Sequence, residues 1–95
     1  MDWQAIVIHP DDDVAVALAE LTAGPVRVRR GAEIILVPVA GLVPMGHKLA
    51  LHDIPLGKLV SKYGEPIGAA TRDIPAGSHV HVHNVRSRRA GSKGI

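Results

Sequence analysis

Residues 79 to 84 read His-Val-His-Val-His-Asn. On a strand, side chains change face at every residue, so His79, His81 and His83 would share one face and Val80 and Val82 the other. Imidazoles two apart on a strand can share a divalent ion, and nitrogen donors suit zinc, iron(II), copper or nickel. His79 and His81 are the candidate metal pair. No acid lies within the run and the chain has no cysteine, so further ligands must come from a distant segment or another chain. Two other readings stay open. His81 and His83 could act on a substrate as acid–base groups, since imidazole titrates near neutral pH. Alternatively, the face simply meets water or a partner protein.

Two further stretches carry polar groups of interest. "PMGHKLALHD" (44–53) places His47, Lys48 and His52 after a glycine turn. Lys48 is a compact cation suited to a substrate carboxylate, or the solvated lysine of a surface loop. "SKYGEPIGAATRD" (61–73) offers Lys62 and Arg72 for anions, and Tyr63 for ring packing and a hydroxyl donor. With Asn84, the substrate-contact candidates are Lys48, Lys62 and Tyr63. Gly64 and Gly68 are turn residues rather than a phosphate cradle, because no Lys-Ser/Thr pair follows them. No serine sits in a nucleophile-elbow motif and the acids fall mostly in turns. The residues alone point to an accessory module or subunit rather than a self-sufficient enzyme.

An internal repeat supplies the elements that must position these groups. "ALAELTAGPVR" (17–27), "ALHDIPLGKLV" (50–60) and "ATRDIPAGSHV" (70–80) align without gaps. Each starts with Ala, has an acid at the fourth place (Glu20, Asp53, Asp73), an apolar residue next (Leu21, Ile54, Ile74) and Gly at the eighth. This is turn chemistry: Asp bonds backbone amides ahead of it, Pro sets φ, and Gly accepts φ above zero. The apolar residue before Pro should plug the core. Each unit then reads strand, tight turn, strand. The repeat also resolves "DDDVAVALAELTAG", whose apolar spacing fits a helix as well as a strand. By analogy with the other copies, 14–18 is read as a strand. Further strands are expected at 6–9, around Val26 and Val28, at 34–39, at 58–62 and at 80–85, with turns at Arg30-Gly31 and around Gly64-Glu65-Pro66. The fold class is all-β: a small barrel or clip of about seven short strands with tight turns.

Composition bounds what such a domain can do. At 95 residues the chain is one domain, and 46% apolar residues suffice for a modest core. With one Trp, one Tyr and no Phe, it has no aromatic platform for bases or sugars. The net charge of +2 is misleading, because residues 86–95 hold four basic groups and no acid. The domain is therefore assigned to 1–85 and a basic, flexible tail to 86–95, and nucleic acid is not an expected partner. No apolar run is long enough for a membrane span and the N-terminus has no cationic leader, so a cytoplasmic location is expected. Exposed edges of a small β domain allow a homo-oligomer.

The order and spacing of "GHKLALHDIPLGKLVSKYGEPIGAATRDIPAGSHVHVHN" (46–84) resemble the N-terminal domain of the altronate and galactarate dehydratases, and "DDDVAVAL" is similar to that family's start. The resemblance covers roughly residues 5–85. It implies a SAF-like β-clip fold. It further implies hydro-lyase chemistry on hexonic or hexaric acids with a divalent metal, often iron, bound mainly by a larger catalytic part. A related two-subunit enzyme, sulfolactate sulfo-lyase, eliminates sulfite from a similar 2-hydroxy acid. Because the single-chain dehydratases continue well beyond this length, the expectation is a separate small subunit, inactive alone, or an excised fragment. The resemblance carries over His47 and Lys48, Lys62 and Tyr63, and His79, His81, His83 and Asn84, with His81 and His83 expected to face the large subunit's active site. The reading from another class is a non-catalytic SAF-type module that binds a carbohydrate or a protein.

Overall fold

The structure, a computed structural model, describes residues 2–87. Its strands are β1 (Ala5–Val7), β2 (Val14–Ala17), β3 (Gly24–Arg30), β4 (Glu33–Val39), β5 (Lys48–Ala50), β6 (Leu59–Lys62), β7 (Glu65–Ala70), β8 (His79–Val80) and β9 (Val85–Ser87). The all-β clip is thus built from nine short strands rather than about seven. Six form one curled sheet in the order β4-β3-β1-β2-β5-β8, and β6-β7-β9 form a second. No helix among the described residues is long and apolar enough to cross a membrane. Arg86 and Ser87, at the start of the stretch read as a tail, lie in β9, which pairs with β7. The rest of that stretch, 88–95, lies outside the described residues.

The repeat governs the architecture, but its turns are completed across the chain rather than locally. Ile54 and Ile74 bond each other's backbone in both directions at 2.8 Å. Asp53 accepts from the amide of Ala76, and Asp73 from that of Leu56, each at 2.9 Å. The Asp-Ile-Pro units therefore cap one another, where the local reading had each Asp cap its own turn. Ile54 and Ile74 are 1% exposed and plug the core as the sequence predicts, each stabilising the fold by about 1.5–3 kcal/mol. Leu21 makes the equivalent reciprocal bridge with Val43. This identifies "LVPMGH" (42–47) as a further copy of the turn, recognisable in hindsight by Val-Pro-x-Gly.

Three of these turns share one geometry. Gly46, Gly57 and Gly77 have φ of +83°, +87° and +83°, and the residue after each bonds the carbonyl of Pro44, Pro55 or Pro75. This is a type II arrangement with glycine at its third position. The glycine amides bond the carbonyls of Ala17, Ala70 and Ala50 at 2.8 Å. Those alanines open the aligned repeats, and all are buried.

The β6–β7 loop is tighter than the sequence suggests. Lys62 pairs with Glu65, leaving Tyr63 (φ +57°) and Gly64 (φ +75°) as a two-residue turn. Two positive φ values in succession make it type I′, so Glu65 and Pro66 already belong to β7. The acids of "DDD" do structural work here. Asp12 accepts from the amides of Gly64 and His9, and Asp13 from Ser61 and His52.

A matched pair of substitutions separates backbone strain from crowding. A Cβ on Gly57 would meet nothing within 4 Å, whereas on Gly77 it would lie 1.7 Å from the carbonyl oxygen of Pro38. Gly57→Ala should cost about 1–2 kcal/mol, the left-handed penalty alone. Gly77→Ala should cost more than about 3 kcal/mol or prevent folding. Urea denaturation of both variants checks this, and equal losses would refute the role given to the Pro38 contact.

Candidate functional site

Strand pairing brings the histidines together. Lys48 of β5 pairs with Val80 of β8, and Leu49 with His79. Extending that antiparallel register sets His47 opposite His81 and diagonal to His79, the positions at which cross-strand side chains interact. The rings follow: His47 and His81 stack with centroids 4.3 Å apart, and His47 Nδ1 lies 2.8 Å from His79 Nε2. One nitrogen from each of His47, His79 and His81 falls within 4.8 Å of the others. The ring of His83 is 5.1 Å from that of His79.

The route to this arrangement differs from the strand alternation read in the sequence. β8 ends at Val80, and residues 81–84 form a turn rather than a continuing strand through 85. The amide of Val85 reaches back to the carbonyl of His81. Asn84 drives the reversal. Its Oδ1 accepts from the His81 amide, and its Nδ2 donates to the His79 carbonyl. Asn84 is 4% exposed, and its carboxamide is committed to holding the turn, whereas the sequence suggested a substrate contact. Val82 protrudes at the tip, 64% exposed, instead of joining Val80 in the core.

Lys48 is 3% exposed, so it is not the solvated loop lysine that one reading allowed. Burial, and then the charge of Lys62, push its pKa below the ordinary lysine value. Its ammonium has no hydrogen-bond or ion-pair partner among the described residues. His79 is held below the ordinary imidazole range by burial, then by His83, His47, His81 and Lys48. His81 is lowered by burial, then by His47, Lys48 and His83. No carboxylate offsets these effects. The nearby acids are engaged elsewhere, His52 among their partners through a 2.9 Å contact with Asp13. Lys62 leans its ammonium over the Tyr63 ring at 4.6 Å, and Tyr63 is exposed at the hairpin tip.

Beside the histidines an open cleft of about 310 Å³ is lined by Gly41, Leu42, Arg72, Ser78, His79 and His83, among others. Of the candidates, the structure gathers His79, His81 and His83, together with His47. Lys48, paired with Val80, leaves β5 on the other side from His47 and Leu49, though its charge reaches His79 and His81 and that of Lys62 reaches Lys48. The structure leaves His52 apart. His47 was seen in the sequence only as part of the Gly-His-Lys element. The repeat could have revealed its place in the cluster, since "PMGHKLA" and "PAGSHVH" enter neighbouring strands from equivalent turns.

The donor set fits a divalent transition ion. Burial and neighbouring cations favour the neutral form of His79 and His81, and the buried Nδ1 of His81 has no hydrogen-bond partner. The partial burial of the Lys48 charge costs stability. Lys48→Met keeps the stem and removes the buried charge, so it should stabilise the isolated chain by about 1 kcal/mol. The unfolded lysine binds its proton more readily than the folded one, so wild-type stability rises with pH toward 10.5. Lys48→Met should lack that contribution. Thermal melts of both chains across alkaline pH check this, and a destabilised variant would show that Lys48 has a compensating partner.

Residues 3–88 match the family model described as altronate/galactarate dehydratase SAF domain. Altronate dehydratase of Escherichia coli K12 is 49% identical over 84 residues, covering 88% of this chain and 16% of the relative. Galactarate dehydratase (L-threo-forming) of the same organism is 42% identical over 77 residues, 14% of its length. The chain thus spans only a small part of the dehydratases it matches. The (2R)-sulfolactate sulfo-lyase subunit alpha of Chromohalobacter salexigens is 38% identical over 93 residues, covering 94% of this chain and 99% of the relative. The match over nearly the whole described domain makes this chain a member of the altronate/galactarate dehydratase SAF domain family.

Proposed function

We propose that this chain is the small subunit of a two-part hydro-lyase of the altronate/galactarate dehydratase type. In this reading it acts with a separate large subunit on a sugar acid or related 2-hydroxy acid. Its histidine face completes or gates the large subunit's active site. The observation that carries the proposal is the gathering of four imidazoles with no carboxylate among them, two of them within reach of the Lys48 charge. Such a face suits a carboxylate-bearing substrate, whose anionic end would offset the lysines and whose elimination requires proton transfer.

The chemistry follows from the groups present. Lys48 and Lys62 attract the substrate carboxylate electrostatically. A neutral imidazole, His81 or His83, takes the proton from the carbon beside that carboxylate as the β-carbon–oxygen bond breaks. The other imidazole, protonated, gives its proton to the departing hydroxyl, which leaves as water. The enol product tautomerises to a 2-keto-3-deoxy acid. A divalent metal, when bound, would stabilise negative charge on the enediolate. Arg72 and Ser78 in the adjoining cleft offer contacts for the substrate's hydroxyls.

A second reading has its own support. The match that runs the length of a sulfo-lyase subunit alpha favours a small subunit whose enzyme expels sulfite in place of water. The same proton abstraction would serve, with a weaker demand for an acid because sulfite is the better leaving group.

Affinity capture of the chain from its source cells, followed by mass spectrometry, should recover a stoichiometric partner of roughly 300–400 residues. In that complex His81→Ala and His83→Ala should each lower kcat by about 10²–10⁴-fold while assembly persists. Product analysis distinguishes water from sulfite. Recovery of no partner, or full activity in both variants, would overturn the proposal.

A further inference from the structure

We propose that His47, His79 and His81 form a three-imidazole site for one divalent transition ion, carried by this chain itself. Three separate observations converge on it. One nitrogen of each ring lies within 4.8 Å of the other two. The Nδ1 of His81 is buried without a partner, and an unsatisfied buried polar atom costs about 1–3 kcal/mol. The rings are also held together as a stack, His47 and His81 with centroids 4.3 Å apart and His79 and His81 5.6 Å apart.

Geometry supports ligation over a purely structural cluster. Metal–nitrogen bonds of about 2.0–2.1 Å place tetrahedral ligands about 3.3 Å apart. The His47–His79 nitrogens lie 2.8 Å apart and all three ligand nitrogens fall within 4.8 Å of one another, separations that bracket this value. His47 is fixed by the Gly46 turn, and His79 and His81 by the Asn84 carboxamide. The backbone frame would therefore persist with or without the ion. Three protein ligands leave a coordination position open, the pattern of a catalytic rather than a structural site, and with His81 a ligand the acid–base work of the proposed function falls to His83 and the large subunit. The 79–84 turn and the adjoining cleft place that position where a hydroxy acid could enter. With nitrogen donors only, the site suits zinc, iron(II), cobalt or nickel over calcium or magnesium.

The test uses the full chain without a histidine tag. Equilibrium dialysis against Zn²⁺ or Co²⁺ with elemental analysis should show about one equivalent bound, and Co²⁺ should develop visible d–d bands. His47→Ala, His79→Ala and His81→Ala should each weaken binding by about 100-fold. His52→Ala, outside the cluster, should bind as wild type. Imidazole NMR of the wild-type chain needs no variant: one equivalent of Zn²⁺ should shift His47, His79 and His81 while sparing His9 and His52. No retained metal, or a Zn²⁺ response spread over all histidines, would overturn the site. This outcome is read on the chain alone, so it is independent of whether a large subunit is found.

Discussion

The structure depends on turns that cannot close by themselves. Each Pro-x-Gly turn leaves its glycine amide pointing outward, and the acceptor is the carbonyl of a buried alanine in another copy. Gly46 depends on Ala17, Gly57 on Ala70 and Gly77 on Ala50. The Asp53 and Asp73 carboxylates exchange places in the same way, each capping the other's unit. The small side chain at the start of each repeat thus allows a turn to pack against the strand end. These bonds join residues far apart in sequence, so no copy is complete until another has folded beside it. A topology of this kind folds as a unit, with long-range closure preceding most of its reward.

That interlock is what sets the histidines in place. His47 leaves the Gly46 turn directly into β5, and His79 leaves the Gly77 turn into β8. Because β5 and β8 are neighbours, the chemistry of two repeats converges, and Asn84 then curls the chain so that His81 stays with them. The third turn, at Gly57, feeds Lys58 and Leu59 toward β6 in the other sheet, and those residues contribute nothing to the cluster. The repeat is a scaffold, and the histidine cluster lies where two of its strands, β5 and β8, run side by side.

Much of this was legible in the residues. Asp-Ile-Pro-x-Gly marked the turns and plugs, β2 was correctly separated from a helix by analogy with the other copies, and the histidine run announced a clustered face. What was not legible depends on contacts between distant segments. The Asp side chains favour local amides in any single-segment reading, and only the paired bridge shows that each reaches across. The Val-Pro-x-Gly copy at 43–46 lacks the acid and so escaped the alignment. His-Val-His-Val-His alternates perfectly for a strand, yet the buried carboxamide of Asn84 captures two backbone groups and wins the turn. Lys48 looked like a solvated loop lysine because nothing local reveals that both neighbours in its sheet are strands.

The absence of carboxylates around the cluster is the feature that ties fold to function. The chain has acids in plenty, but Asp12 and Asp13 clamp the β6–β7 hairpin, and Asp53 and Asp73 cap the turns. A single acid placed beside Lys48 would remove the cost of its burial and would also occupy the place of an incoming anion. Folding stability alone would favour that change; under the proposed function, an acid there would compete with the substrate's carboxylate. The burial of Lys48 without a carboxylate beside it is a cost that the interlocked turns carry.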